Sequence, residues 1–171
     1  MALRVLLADP WPIVRQAVRD HLEQAGIVVA WETADGEDAV AWWRKHHPDV
    51  VILDFHLERL TGLDVARTLL QDAPETAVIF LTLYSEEPRV AAVLQAGVRG
   101  YVDKARAPED LIPAIHAVAQ GEVYLSPRSD HPRATRPGTE SEPQDLRQGG
   151  TAPSELASSE DEAPALLLVP K

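Results

Sequence analysis

The chain has 171 residues, no cysteine and a formal net charge of −11. That length suits one domain with a sizeable core plus a tail, and the missing thiols exclude disulfides, thiolate chemistry and Cys-based zinc sites. Residues 1–126 carry 11 Lys+Arg against 19 Asp+Glu and residues 127–171 carry 5 against 8, so neither part is built to bind a polyanion.

The first expected element is the strand LRVLLA, residues 3–8. Its apolar run meets Asp9 too early for a signal peptide, and no later stretch reaches bilayer-spanning length. A cytoplasmic chain without membrane contact is therefore expected. Residues 13–25 follow as an amphipathic helix with Val14, Ala17, Val18, Leu22 and Ala25 on one face, ended by Gly26. IVVAWET (27–33) is the second strand. Asp35 with Asp38 forms an approximate capping box for the second helix, which Pro48 closes after His47. One of Trp42 and Trp43 on that helix should face the sheet.

The third strand, DVVILD (49–54), runs four apolar residues straight into a lone carboxylate, Asp54. Such a residue is costly to bury and poor at continuing a strand. A polar segment follows and ends in Gly62. TAVIFLT (76–82) is the fourth strand and RGYVD (99–103) the fifth. Residues 86–96 are helical, with Val90, Val93 and Leu94 on one face, Ser85 as cap and Gly97 as stop. Residues 108–120 form the last helix, with Leu111, Ile115 and Val118 inward and Gly121 beyond its end. Ala107 at its start and Pro113 inside it predict a weakened helix. From about Arg128 the composition turns to Pro, Ser, Thr, Glu and Gly without periodicity, which predicts a disordered acidic tail over residues 127–171.

Strands alternating with helices through short connections predict an α/β domain with a doubly wound parallel sheet over residues 1–126. Ligand sites in such sheets lie beyond the C-terminal strand ends. Those ends deliver Asp9, Asp54, Thr82 and Lys104. An ionised carboxylate can attack a phosphoryl group. An ammonium and a hydroxyl can neutralise and hold its oxygens, and a second carboxylate can help hold Mg²⁺. Singly, each residue has a duller reading as a cap, a strand former or a solvated loop residue. The six histidines show no metal spacing.

Over residues 3–126 the chain resembles a response regulator receiver domain. The resemblance is carried by VLLADPWPIVRQAV, ADGEDAV, PDVVILDFHLERLTGLDVA, VIFLT, AGVRGYVDKARAPEDL and AVAQGEVYLSP. The last four are most similar to the NarL/FixJ-type branch, in which a receiver precedes a LuxR-type helix-turn-helix. The resemblance implies a flavodoxin-like (βα)5 fold with five strands in the order 2-1-3-4-5. It implies Asp54 as phosphoacceptor, Thr82 and Lys104 as phosphoryl contacts, and Tyr101 as a switch aromatic. It implies Mg²⁺ held by Asp9, Asp54 and the His56 carbonyl. The partners it implies are a histidine kinase or phosphotransfer protein of a bacterial two-component system and a downstream protein. A homodimer is compatible with it. Its chemistry would be Mg²⁺-assisted self-phosphorylation and dephosphorylation, without turnover of a substrate.

Three departures stand out. Pro10 replaces the second acidic residue after the first strand, which predicts weak Mg²⁺ binding. Glu58 stands where the family commonly has proline, and is expected to be a solvated loop residue. After YLSP the sequence continues into the tail where the family has a DNA-binding domain, so specific nucleic-acid binding through this chain is not expected. Two other readings compete: a pseudo-receiver that signals by binding alone, and the remnant of a truncated DNA-binding regulator.

Overall fold

A computed structural model describes residues 2–83 and 87–127. The expected acidic tail and the Ser85 cap lie outside the described residues. The chain divides into two units, Met1–Pro132 and Arg133–Lys171, and only the first contains described residues. Its elements alternate: β1 (Arg4–Ala8), α1 (Pro12–Gln24), β2 (Val28–Thr33), α2 (Gly36–His46), β3 (Val50–Leu53), α3 (Gly62–Asp72), β4 (Val78–Thr82), α4 (Glu87–Gln95), β5 (Gly100–Asp103), α5 (Ala107–Ala119) and β6 (Tyr124–Leu125).

The sheet is parallel in the order β2-β1-β3-β4-β5-β6. The expected order of the first five strands holds, and the fold is doubly wound α/β as expected. The sixth strand is an addition. Its two residues pair with Gly100 and Tyr101, and the Tyr124 N–H donates to the Arg99 carbonyl at 2.8 Å. A two-residue strand at a sheet edge carries too little periodicity to be read from sequence.

The period-2 alternation of strand side chains builds two cores from one sheet. Leu6, Ala8, Val51, Leu53, Val78 and Phe80 meet Ala39, Val40 and Trp43 of α2, Val65, Ala66 and Leu69 of α3, and Val93 of α4. Val5, Leu7, Val50, Ile52, Ile79, Leu81 and Val102 meet Val18 and Leu22 of α1 and Leu111, Ala114, Ile115 and Val118 of α5. β3 and β4 are buried at every position, which is why their sequences read as unbroken apolar runs. Truncating one such side chain, Leu53→Ala for instance, would cost about 2–5 kcal/mol.

Several helix faces need correction. On α1, Val18 and Leu22 are buried and Val14 is partly covered, but Ala17 and Ala25 are exposed. On α4, Val93 is buried and Val90 partly so, while Leu94 is 38% exposed. The sheet contacts each helix over a narrower stripe than the apolar residues span. Trp43 is the inward tryptophan of α2; Trp42 stacks between Trp31 and His46. The second helix ends at His47 in the left-handed region (φ 42°), directly before Pro48.

The α5 helix runs unbroken through Pro113. Pro113 and Glu109, whose carbonyl loses its helical donor, are both exposed, so water can satisfy the orphaned acceptor.

Candidate functional site

Strand register brings the candidate side chains together. Ala8 pairs with Leu53, Leu53 with Phe80, and Thr82 with Asp103. The next residues, Asp9, Asp54 and Lys104, therefore leave the sheet along one edge. The ladder holds them there: the Asp54 N–H donates to the Ala8 carbonyl at 2.9 Å and the Asp9 N–H to the Thr33 carbonyl at 3.0 Å. Asp9 and Asp54 are 1% and 6% exposed and Thr82 is fully buried, so these polar groups sit at the floor of the site.

The centre is an ion triad. Lys104 Nζ lies 2.5 Å from Asp9 Oδ2 and 2.6 Å from Asp54 Oδ2. Two buried carboxylates this close repel, and one shared ammonium makes the arrangement tolerable. The remaining oxygens are held by local turns. Asp54 Oδ1 accepts from the His56 N–H at 2.8 Å and Asp9 Oδ1 from the Trp11 N–H at 2.8 Å. Lys104 opens a short 3-10 turn, Lys104–Arg106, which buried Asp103 caps by accepting from the Ala105 N–H at 2.8 Å.

The loop after Asp54 doubles back at once. The Gly62 N–H donates to the Phe55 carbonyl at 3.0 Å. A Cβ at Gly62 would lie 1.9 Å from the Asp54 carbonyl oxygen, so only glycine permits this approach. Glu58 is exposed, as expected, but its backbone is engaged: its N–H donates to the Ala34 carbonyl at 3.0 Å and its carbonyl accepts from the Gly36 N–H at 2.9 Å.

The donor set suits Mg²⁺. It offers hard oxygens from two buried carboxylates, and Asp9 Oδ2 accepts no hydrogen bond although it touches Lys104. Among the described residues no three Asp, Glu, His or Cys side chains form a metal cluster. Pro10, half-buried beside Asp9, has no side-chain oxygen to add.

Asp9, Asp54 and Lys104 thus converge at the strand ends, and Thr82 ends the strand between β3 and β5. His56 contributes its backbone beside Asp54 and exposes its side chain. Tyr101 is set back in the core with Phe80, Val93 and Val98, 4% exposed. Sequence reasoning missed Asp103, although a strand-end aspartate before a turn is an ordinary capping signal. It also missed Arg59, which binds Asp35, Glu37 and Asp38. The Arg59 contact is the main reason the Asp35 carboxyl sits below the usual carboxylate range, against the opposing effect of burial.

Residues 5–116 match the family model for the response regulator receiver domain. Response regulator UvrY of Escherichia coli K12 is 38% identical over 125 residues, which cover 72% of this chain and 57% of UvrY. Response regulator GacA of Pseudomonas aeruginosa is 32% identical over 127 residues, covering 74% and 59%. The chain thus spans somewhat over half the length of these curated relatives. Among solved structures, a LuxR-family two-component response regulator from Aurantimonas superposes with a TM-score of 0.71 at 30% identity, over 74% of this chain and 91% of that one. The isolated receiver domain of RcsB from Salmonella enterica serovar Typhimurium, with the phosphomimetic BeF₃⁻, gives 0.67 at 27% identity, over 74% and 94%.

Proposed function

The chain belongs to the response regulator receiver family, a signalling family that binds Mg²⁺ and works with histidine kinases and phosphotransfer proteins, and from that premise we propose that Asp54 is its phosphoacceptor. The observation that carries this reading is Lys104 Nζ held 2.5 Å from Asp9 and 2.6 Å from Asp54, with Thr82 at the end of the neighbouring strand.

One oxygen of Asp54 attacks the phosphorus of a phosphohistidine. A P–O bond forms, the P–N bond breaks, and the imidazole nitrogen leaves with the electron pair. Lys104 keeps its protons and exchanges Asp54 for an oxygen of the incoming phosphoryl group. The Thr82 hydroxyl donates a hydrogen bond to another oxygen and keeps its proton. Asp9, Asp54 and the His56 carbonyl would hold Mg²⁺, which would supply further charge neutralisation. Asp103 sets the turn that aims Lys104.

The rim of the site suits a protein donor. Trp11, Ile13 and Leu83 are 62%, 76% and 67% exposed. An apolar cleft of about 460 Å³ between α1 and α5 opens beside Lys104, lined by Ile13, Val14, Ala17, Leu83 and Pro108 among others. Output would follow from Thr82 moving toward the phosphoryl group and Tyr101 responding in the core, which changes the α4–β5–α5 surface offered to a downstream protein. Pro10 favours a second reading, a receiver that signals by binding alone.

A small phosphodonor, with and without Mg²⁺, separates the two. Borohydride trapping followed by mass spectrometry should place the label on Asp54 and lose it in Asp54→Ala. Label that persists in Asp54→Ala removes the assignment.

A further inference from the structure

Arg59 lies midway along the β3–α3 loop with φ of 60°, a left-handed backbone that favours glycine. Its guanidinium spans three carboxylates at the start of α2. Nε meets Asp35, one terminal nitrogen meets Glu37 at 2.8 Å and the other meets Asp38 at 2.6 Å. Asp35 is already fixed, because its Oδ1 caps α2 by accepting from the Glu37 N–H at 2.8 Å and the Asp38 N–H at 3.1 Å. Beneath the side chain, the Glu58 N–H and carbonyl bond Ala34 and Gly36. The loop is therefore stapled to α2 by two backbone hydrogen bonds and one forked cation.

The other end of this loop is the phosphoacceptor turn. His56 donates its N–H to Asp54 Oδ1, and Gly62 closes back on Phe55. Only two residues, Leu57 and Glu58, separate His56 from Arg59. A rigid fork satisfied by three carboxylates supplies what a strained backbone conformation needs to persist.

We propose that Arg59 is a positioning residue for the Asp54 site: its clamp on Asp35, Glu37 and Asp38 fixes the β3–α3 loop so that the His56 backbone and the Asp54 carboxylate are preset to take up Mg²⁺. The proposal rests on Asp54 being the phosphoacceptor. Charge alone makes the opposite prediction. Removing the cation unmasks three carboxylates, raises the local negative potential and should tighten Mg²⁺ binding. Loss of positioning should weaken it. The sign of the change decides.

The test uses the full chain with Arg59→Gln and Arg59→Lys. Mg²⁺ is titrated against tryptophan fluorescence, Asp54 labelling is timed with a small phosphodonor, and melting is followed separately. The half-saturating Mg²⁺ concentration should rise about tenfold in Arg59→Gln, the scale of supporting contacts around metal ligands. Arg59→Lys keeps both the charge and the backbone strain but loses the fork, so a rise of roughly threefold is expected. Labelling of both variants should be slowed at low Mg²⁺ and recover at saturating Mg²⁺. A half-saturation that is unchanged or lowered in both variants overturns the proposal; Arg59→Lys alone decides it if Arg59→Gln does not fold. Absence of label on wild-type Asp54 would instead remove the phosphoacceptor reading, and the Mg²⁺ titration would still judge the clamp.

Discussion

By the family resemblance Pro10 stands where a second acidic residue is usual after the first strand, and we propose that its absence leaves the Asp9–Asp54 site one anionic ligand short. Asp9 Oδ1 accepts from the Trp11 N–H, and Oδ2 touches Lys104 without accepting a hydrogen bond. Proline adds neither an oxygen nor an N–H. Losing one anionic ligand charge costs about 1.4 kcal/mol, roughly tenfold in Mg²⁺ affinity. Pro10→Asp should therefore lower the half-saturating Mg²⁺ about tenfold and speed labelling of Asp54. Trp11, adjacent to the substitution and 62% exposed, provides the fluorescence signal. Equal affinities in the two proteins would mean that another group has replaced the lost ligand. Asp54 was legible in the sequence because a carboxylate that ends an apolar strand is costly to bury and marks the edge where the sheet meets solvent. Arg59 was not, because nothing local marks it. Its role depends on a positive φ and on partners 21 to 24 residues away.

At the scale of elements, α5 shows where pattern and structure part. Ala107 and Pro113 predicted a weak helix, yet thirteen residues are continuous. Part of the compensation lies at Asp110, which is buried at the helix start. Arg106 donates to its two oxygens at 2.8 and 3.2 Å, and the Ser126 hydroxyl, just beyond β6, donates at 2.6 Å. The anchor ties α5 to a segment that periodicity could not reveal, which is why β6 was not read from the sequence. Arg106 is the main cause that holds the Asp110 carboxyl below its ordinary value of 3.8, opposed by burial and helped by Ser126. A depressed carboxylate stabilises the fold at pH above its unfolded value, and that contribution disappears as pH falls through the folded value. Asp110→Asn should cost about 1 kcal/mol at neutral pH, allowing for the half-exposed arginine. The gap in stability between wild type and Asp110→Asn should close as pH drops below 3.8. A gap that is constant from neutral pH down to that range would show that the ion pair is not the anchor. Burial also pushes the neighbouring Tyr124 phenol up, with Asp110 adding to the effect.

For the whole molecule, the strand order does the work of assembly. With β1 and β3 adjacent, Asp9 and Asp54 share one edge, and with β4 next to β5, Thr82 and Lys104 complete it. Alternating strands and helices made the doubly wound parallel sheet readable, because each crossover must cover a sheet face that would otherwise be wet, whereas the strand order followed from the family resemblance. Both faces are covered by elements lying within residues 4–119: α2, α3 and α4 on one side, α1 and α5 on the other. The core therefore needs nothing contributed from beyond β6. We propose that residues 128–171, rich in Pro, Ser, Thr and Glu, are dispensable for folding and for phosphoryl acceptance. A chain ending at Pro127 should melt within about 2 °C of the full chain, which corresponds to less than about 1 kcal/mol for a domain of this size. It should also label on Asp54 at the same rate. Limited proteolysis of the full chain should leave a stable fragment ending near residue 127. A melting point lowered well beyond that margin, or a full chain that resists cleavage beyond residue 127 as strongly as within the sheet, would mean that the acidic segment contributes to the fold.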